Sequence, residues 1–192
     1  MASPALIGAE QELFFVNLNQ DKPTTVVLLH GLLNSHIEWC FVIPHLSDYH
    51  IIAPDISGHS QSRDILPADI SSSTERVAVK LRGMRWHGEL LKEMRRNRRW
   101  EVIYDVDIGL MELNWEDVKT LPVRTLAIAA ESTDDVEAVR RMGREMPIEG
   151  SLGAVVRGAI HTWNLQKPEL FADVIRAWIE QSPLPEGLEV LR

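Results

Sequence analysis

The sequence predicts an α/β protein with an open, mostly parallel sheet flanked by helices. Four short apolar runs have the composition of strands buried on both faces, and stretches with helical spacing follow them. This order is typical of parallel βαβ units. Hydrophobic residues make up 45% and charged residues 25%, which are ordinary globular values and exclude a disordered or fibrous chain. With 192 residues, the chain is long enough for one domain and too short for two.

The first half of the chain predicts two or three strands and one helix. Glu12–Leu18 is an early strand, and Thr24–His30 is a buried strand that ends at a glycine. Apolar residues at roughly helical spacing predict a helix over Ser35–Leu46. His50–Asp55 then predicts a second buried strand, parallel to the first.

The second half repeats the alternation. Val123–Ala130 and Ala154–Ala159 predict strands, and Val136–Met146 between them predicts an amphipathic helix. The last helix is predicted over Pro168–Gln181, because an apolar stripe runs along it and the first helical turn tolerates proline.

A different segment lies between the halves. Ser72–Glu75 has the pattern of a capping box and predicts a helix start near Ser73. Lys80–Arg99 holds eight Lys or Arg and two Glu, a balance of +6 within a chain whose net charge is −8. Two interpretations stay open for this run: the solvated face of a helix, and a surface for phosphate or another anionic ligand.

Charge and cysteine content limit the partners. A net charge of −8 argues against nucleic acid. No apolar stretch reaches the roughly 18 residues of a membrane span, so no membrane partner is expected. Cys40, the single cysteine, allows no intramolecular disulfide and no Cys-based zinc site. We therefore expect a cytoplasmic protein.

Polar motifs follow the predicted strands at the carboxyl ends, where open α/β sheets bind ligands. His30-Gly31-Leu32 follows the second strand, and a glycine there lets backbone N–H groups face an oxyanion. Carboxylates occur in Ala130–Asp135, and His161 follows the last predicted strand. An Asp and a His at neighbouring strand ends can act as orienting carboxylate and general base. The alternative interpretation is that His161 is a helix-cap or loop histidine without a catalytic role.

Four motifs, in this order, resemble the α/β-hydrolase superfamily. They are VVLLHGLLNSHIEW (26–39), similar to its oxyanion loop; HIIAPDISGHSQS (50–62), similar to its Pro-Asp-x-x-Gly-His-x-x-Ser loop; VRTLAIAAESTDD (123–135), similar to its acid loop; and GAIHTWNLQKPELFADVIRAWIE (158–180), similar to its histidine loop and final helix. The resemblance covers residues from about 14 to 76 and from about 118 to 180.

The resemblance implies roles for five residues. Gly31 and Leu32 would form the oxyanion and substrate-binding loop, with the Leu32 amide as a donor. Asp134 would be the triad acid, with Asp135 as the alternative, and His161 would be the triad base. The substrate would be a small-molecule carboxylic ester, thioester or lactone, and no cofactor or metal is called for.

The sequence departs from the family at the nucleophile. The family places its serine on a Gly-x-Ser-x-Gly elbow between the second and third motifs, and no such pattern occurs in this chain. Ser60 lacks the second glycine, Ser151 has the wrong spacing, and Cys40 is interpreted as a small packed residue. The 131 positions from His30 to His161 are too few for the units that belong there, each of about 30 residues.

We therefore expect one internally shortened domain over residues 1–192. Residues 1–76 are its first core part, 77–117 a cap-like remnant and 118–192 its second core part, with the break near Val77 to Arg82. Without the elbow strand the central sheet is incomplete, so the halves pair directly or leave edges through which the chain forms homo-oligomers. The function expected is that of an impaired serine hydrolase. The alternative is a non-catalytic hydrolase homologue, either a binding or regulatory protein or a non-functional truncated product.

Overall fold

The computed structural model describes residues 13–56, 58–64, 115–120 and 122–192. The strands are β1 (Phe15–Leu18), β2 (Thr25–Val27), β3 (His50–Pro54), β4 (Leu126–Ala130), β5 (Leu152–Val156) and β6 (Leu188–Leu191). The α-helices are α1 (Trp115–Val118), α2 (Val136–Glu145), α3 (Trp163–Gln166) and α4 (Pro168–Glu180), and 3₁₀ helices cover His36–Trp39, Ile43–Leu46 and Ser60–Ser62.

The first sheet has the strand order β1-β3-β2. β2 runs parallel to β3, as the sequence predicts, and β1 runs antiparallel to it. Ile51 and Ala53 on β3 have no exposed surface and pack into an apolar core with Trp39, Leu46 and other side chains. The three predicted strands of the first half are thus confirmed, each shorter than predicted.

The predicted helix over Ser35–Leu46 is wrong, because two 3₁₀ helices occupy this segment. The Ser35 hydroxyl accepts the N–H of Ile37, which caps the first turn. Pro44 has no N–H to donate to a carbonyl four residues earlier, so a continuous α-helix cannot cross it. Among the apolar residues of this segment, Val42 and Leu46 are fully buried, whereas Phe41 is 41% exposed.

The second sheet has the order β4-β5-β6, with β4 parallel to β5 and β6 antiparallel to β5. β5 begins two residues before the predicted strand and ends three residues earlier. Gly158 next to its end has a φ of 65°. The sequence does not predict β6, which is too short for a periodic signal. An Arg157–Glu189 ion pair of 2.6 Å joins β6 to the end of β5.

Helices α2 and α4 confirm their predicted ranges to within one residue at the end. Pro168 occupies the first turn of α4, and Gln181 closes that helix at a φ of 56°. No helix within the described ranges is long and apolar enough to cross a bilayer. The predicted capping box at Ser72–Glu75, the basic run Lys80–Arg99 and most of the segment 77–117 lie outside the described residues.

Helix α4 joins the two sheets. Ala172 belongs to the core on the first sheet, Val174 belongs to the core on the second, and Phe171 packs against both. In the described part of the chain the two sheets do not pair with each other. A cavity of about 340 Å³ is lined by Thr25 of β2, by Ile128 of β4 and by α4. Within the described residues the central sheet is therefore incomplete, as the sequence predicts.

Candidate active site

Asp134 and Asp135 follow β4, and their carboxylates make different contacts. The N–H groups of Thr133 and Asp134 both donate to the Ala130 carbonyl, which turns the chain tightly. Asp134 Oδ2 accepts the Ala130 N–H at 2.8 Å, and its Oδ1 accepts the Thr133 hydroxyl at 3.0 Å. Asp135 instead caps α2, because its Oδ1 accepts the Ala138 N–H at 2.9 Å. Of the two acids left open by the sequence, Asp134 is the one whose carboxylate contacts His161.

His161 follows β5 and contacts the same turn. Its backbone N–H donates to Thr133 Oγ1 at 2.6 Å, and its ring Nδ1 lies 3.1 Å from Asp134 Oδ1. An ionised carboxylate can only accept, so Nδ1 carries the hydrogen and Nε2 is the acceptor atom of the neutral ring. The parallel pairing of β4 with β5 places this Asp–His pair at one edge of the sheet. The pair has the contact that an orienting carboxylate and a proton-transferring imidazole need.

Electrostatics favour the charged form of both partners. The hydrogen bond to Asp134 raises the pKa of His161, while partial burial opposes the shift and the charges of Asp134 and Glu38 add to it. Burial acts to raise the pKa of Asp134, but the hydrogen bonds from His161, Ala130 and Thr133 together lower it. His161 is therefore a stronger base than free imidazole.

His30 links the loop after β2 to the loop after β3. Its side chain is buried, and its Nε2 accepts the Ile56 N–H at 3.0 Å. Nδ1 then carries the hydrogen and donates to the Gly31 carbonyl at 2.7 Å. Burial lowers the pKa of His30 to about 4, so the ring is neutral at pH 7, as its acceptor role requires.

The predicted oxyanion residues lie in the loop between β2 and the first 3₁₀ helix. The N–H of Gly31 donates to Glu38 Oε2 at 3.1 Å, so this amide already has an acceptor. A Cβ at Gly31 would meet no heavy atom within 4 Å, which shows open space beside it. Leu32 is half-buried and follows directly. Their binding of an oxyanion stays a prediction.

Asp55 organises the loop that contains the Pro-Asp-x-x-Gly-His pattern. Its carboxylate has no exposed surface and accepts the His36 N–H and the His36 Nδ1–H, both at 2.8 Å, and the Gln61 N–H at 3.2 Å. Gly58 in this loop has a φ of 80°, a left-handed backbone angle that glycine adopts without steric cost. Asp55 thus fixes the loop from within.

Ser60 and Ser62 of this loop are buried. Ser62 Oγ accepts the Phe14 N–H at 2.9 Å, and neither Ser60 nor Ser62 exposes a tenth of its surface. Burial raises the pKa of the Cys40 thiol, which keeps it protonated. Within the described ranges, no group of three or more His, Cys, Asp or Glu is arranged to hold a metal ion.

Sequence reasoning missed Glu38 and Asn164, which join the loops of the two sheets. Both side chains are buried, and the Asn164 amide donates to Glu38 Oε1 at 3.4 Å. Asn164 is three residues after His161, and Glu38 lies on the first 3₁₀ helix. The available signal was one acidic residue inside the apolar stretch Ile37 to Val42.

Comparisons with known proteins point to one superfamily. The sequence profile of the family described as alpha/beta hydrolase fold matches residues 24–106. An AB hydrolase superfamily protein of Gibberella zeae is 23% identical over 237 aligned positions, which cover 87% of this chain and 84% of that protein.

Solved structures show the same fold. A thermophilic esterase from Thermogutta terrifontis aligns over 88% of this chain and 93% of its own, with a TM-score of 0.63 and 17% identity. A lipase-esterase related protein from Clostridium acetobutylicum aligns over 85% of this chain and 98% of its own, with a TM-score of 0.62 and 14% identity. With the Asp134–His161 pair at the predicted strand ends, these matches show that the chain has an α/β-hydrolase fold.

Proposed function

We propose that this chain descends from a serine hydrolase acting on a carboxylic ester, thioester or lactone, and that it has lost acyl-enzyme chemistry. The main observation in support of this descent is the hydrogen bond between Asp134 and His161 at the carboxyl ends of β4 and β5. The esterase-like structural neighbours support the same class of substrate.

In a complete relative, a serine Oγ attacks the substrate carbonyl while His161 takes its proton and Asp134 orients the ring. Backbone N–H groups then stabilise the oxyanion. This chain supplies the base and the acid, but its sequence holds no Gly-x-Ser-x-Gly elbow. Because triad members act as a unit, removing the nucleophile costs on the order of a million-fold in rate.

We infer that the elbow belongs to an internal segment that this chain lacks, through exon skipping, a deletion in the gene or an incorrect gene model. The alignment with the Gibberella protein extends over 237 positions, whereas this chain has 192 residues, so at least 45 positions have no counterpart in it. Ser60 and Ser62 do not substitute for the elbow serine, since both are buried in the Asp55 loop.

A fluorophosphonate probe tests the proposal, because it reacts covalently with an activated serine. We expect no stoichiometric labelling of this protein under conditions that label an active α/β-hydrolase completely. Stoichiometric labelling at any serine, located by peptide mass spectrometry, would refute the loss of acyl-enzyme chemistry. Ester turnover without labelling that disappears in His161→Ala would instead show hydrolysis by a water that His161 activates.

The alternative is a non-catalytic binding or regulatory protein, and the charge of +6 over Lys80–Arg99 favours it. Replacing Arg95, Arg96, Arg98 and Arg99 with Gln should abolish binding of an anionic ligand measured by titration calorimetry. Unchanged affinity would identify this run as a solvated face. We also propose a cytoplasmic location, which the single Cys40 supports.

A further inference from the structure

Glu38 is a buried carboxylate outside the Asp134–His161 pair. Its side chain is 6% exposed. Oε2 accepts the Gly31 N–H at 3.1 Å, and Oε1 accepts the Asn164 amide at 3.4 Å. Gly31 follows β2 in the first sheet, and Asn164 follows β5 in the second. Glu38 therefore ties together the site loops of two sheets that do not pair within the described residues.

The groups around Glu38 show that it interacts electrostatically with His161. A buried carboxylate is costly unless donors or an opposite charge compensate it. Burial raises the pKa of Glu38, while the Gly31 N–H, the Asn164 and Asn34 side chains and the charge of His161 act to lower it. In return, the charge of Glu38 adds to that of Asp134 in favouring protonated His161. The titratable groups that act on His161 are thus these two carboxyl groups, one on each side of the gap between the sheets.

We propose that Glu38 is a positioning residue that holds the Gly31 loop against Asn164 and serves as a second carboxylate for the imidazolium of His161. The inference rests on the proposed function, which gives His161 the role of proton carrier. When His161 takes a proton, Asp134 stabilises the new charge through a direct hydrogen bond, and Glu38 stabilises it through space. Gly31 N–H is meanwhile committed to Glu38, which leaves the Leu32 amide as the oxyanion donor of this loop.

Titration of His161 by NMR tests the charge effect separately from the hydrogen bonds. Glu38→Gln keeps an acceptor oxygen for the Gly31 N–H and nearly the same volume, but it removes the charge. We expect the pKa of His161 to fall by about half a unit or more in this variant. Asp134→Asn should lower it further, because Asp134 is in direct hydrogen-bond contact with the ring, whereas Glu38 acts through space. Glu137→Gln, on exposed α2, is the matched control and should leave it unchanged.

An unchanged His161 pKa in Glu38→Gln, with the expected fall in Asp134→Asn, would overturn the proposal and leave Glu38 with a structural role only. If Glu38→Gln does not fold, Glu38→Asp keeps the charge, and the proposal then requires the His161 pKa to stay within about half a unit of the wild-type value. Fluorophosphonate labelling would overturn the proposed function without altering this titration, so the two failures are distinguishable.

Discussion

His30 is held in its neutral form by the contacts that it makes at the end of β2. Its Nε2 must accept the Ile56 N–H, and a protonated ring has no lone pair with which to do so. Protonation would also place a charge on a side chain that is 5% exposed. This one residue therefore couples the stability of the site loops to pH.

We expect His30 to make the protein less stable as the pH falls from about 6.5 to 4. The pKa of His30 is about 4 in the folded protein against 6.5 for the free side chain, so in this window the unfolded state binds more protons. The contribution to the free energy of unfolding is complete above the unfolded pKa and is lost as the pH falls through this window, by about 3 kcal/mol. Urea denaturation at several pH values measures it.

His30→Asn isolates this contribution from that of the carboxylates. The variant should be less stable at pH 7, since the Ile56 contact is lost, and its stability should fall less steeply between pH 6.5 and 4. Equal slopes in His30→Asn and in the wild type would show that His30 does not titrate in this window.

At the scale of elements, α2 packs on β5 through two glycines. A Cβ at Gly143 would lie 2.3 Å from the backbone nitrogen of Gly153, and a Cβ at Gly153 would lie 2.5 Å from the Val139 carbonyl oxygen. The contacted atoms belong to the backbone and cannot rotate away. The position of the helix that follows the Asp134 turn thus depends on the absence of both side chains.

Gly143→Ala should destabilise the protein, although alanine is the better helix former by about 1 kcal/mol. Overpacking against a rigid backbone typically costs about 1 to 3 kcal/mol, and so steep an overlap belongs at the upper end of that range. We expect a net loss of about 1 to 2 kcal/mol in urea denaturation. Gly31→Ala, where a Cβ meets open space, is the control for stability. An unchanged or higher stability of Gly143→Ala would contradict this packing.

The sequence predicted those features that depend on local pattern. The apolar runs of β3 and β4, the stripe of α4 and the order of motifs that places Asp134 and His161 at adjacent strand ends are all local or cumulative signals. Features decided by distant contacts were not predicted. Glu38 and Asn164 meet across 126 positions, and β6 forms because β5 offers it an edge.

At the scale of the whole molecule, α4 and Phe171 hold the two half-sheets together. The Phe171 ring lies 5.6 Å from the Trp39 ring of the first half and 4.6 Å from the Trp163 ring of the second. Arg176 of the same helix donates to the His45 carbonyl. In the described part of the chain no strand pairing closes the gap between β2 and β4.

Self-association through these edges is the prediction that belongs to this scale. Among the described strands, β2 pairs with β3 alone and β4 with β5 alone, and near the β2 edge Val27 and Leu29 are 55% and 60% exposed. A strand edge with exposed apolar side chains is a template for pairing with another chain, and lysine on an edge strand opposes it. We expect a homodimer in light scattering over a dilution series, and Val27→Lys should raise its Kd by about tenfold, or about 1.4 kcal/mol. Phe41→Lys replaces an exposed apolar side chain that lies outside the strands, and it should leave the Kd unaltered. A monomer at every concentration, or the same weakening by Phe41→Lys, would remove these edges as the interface.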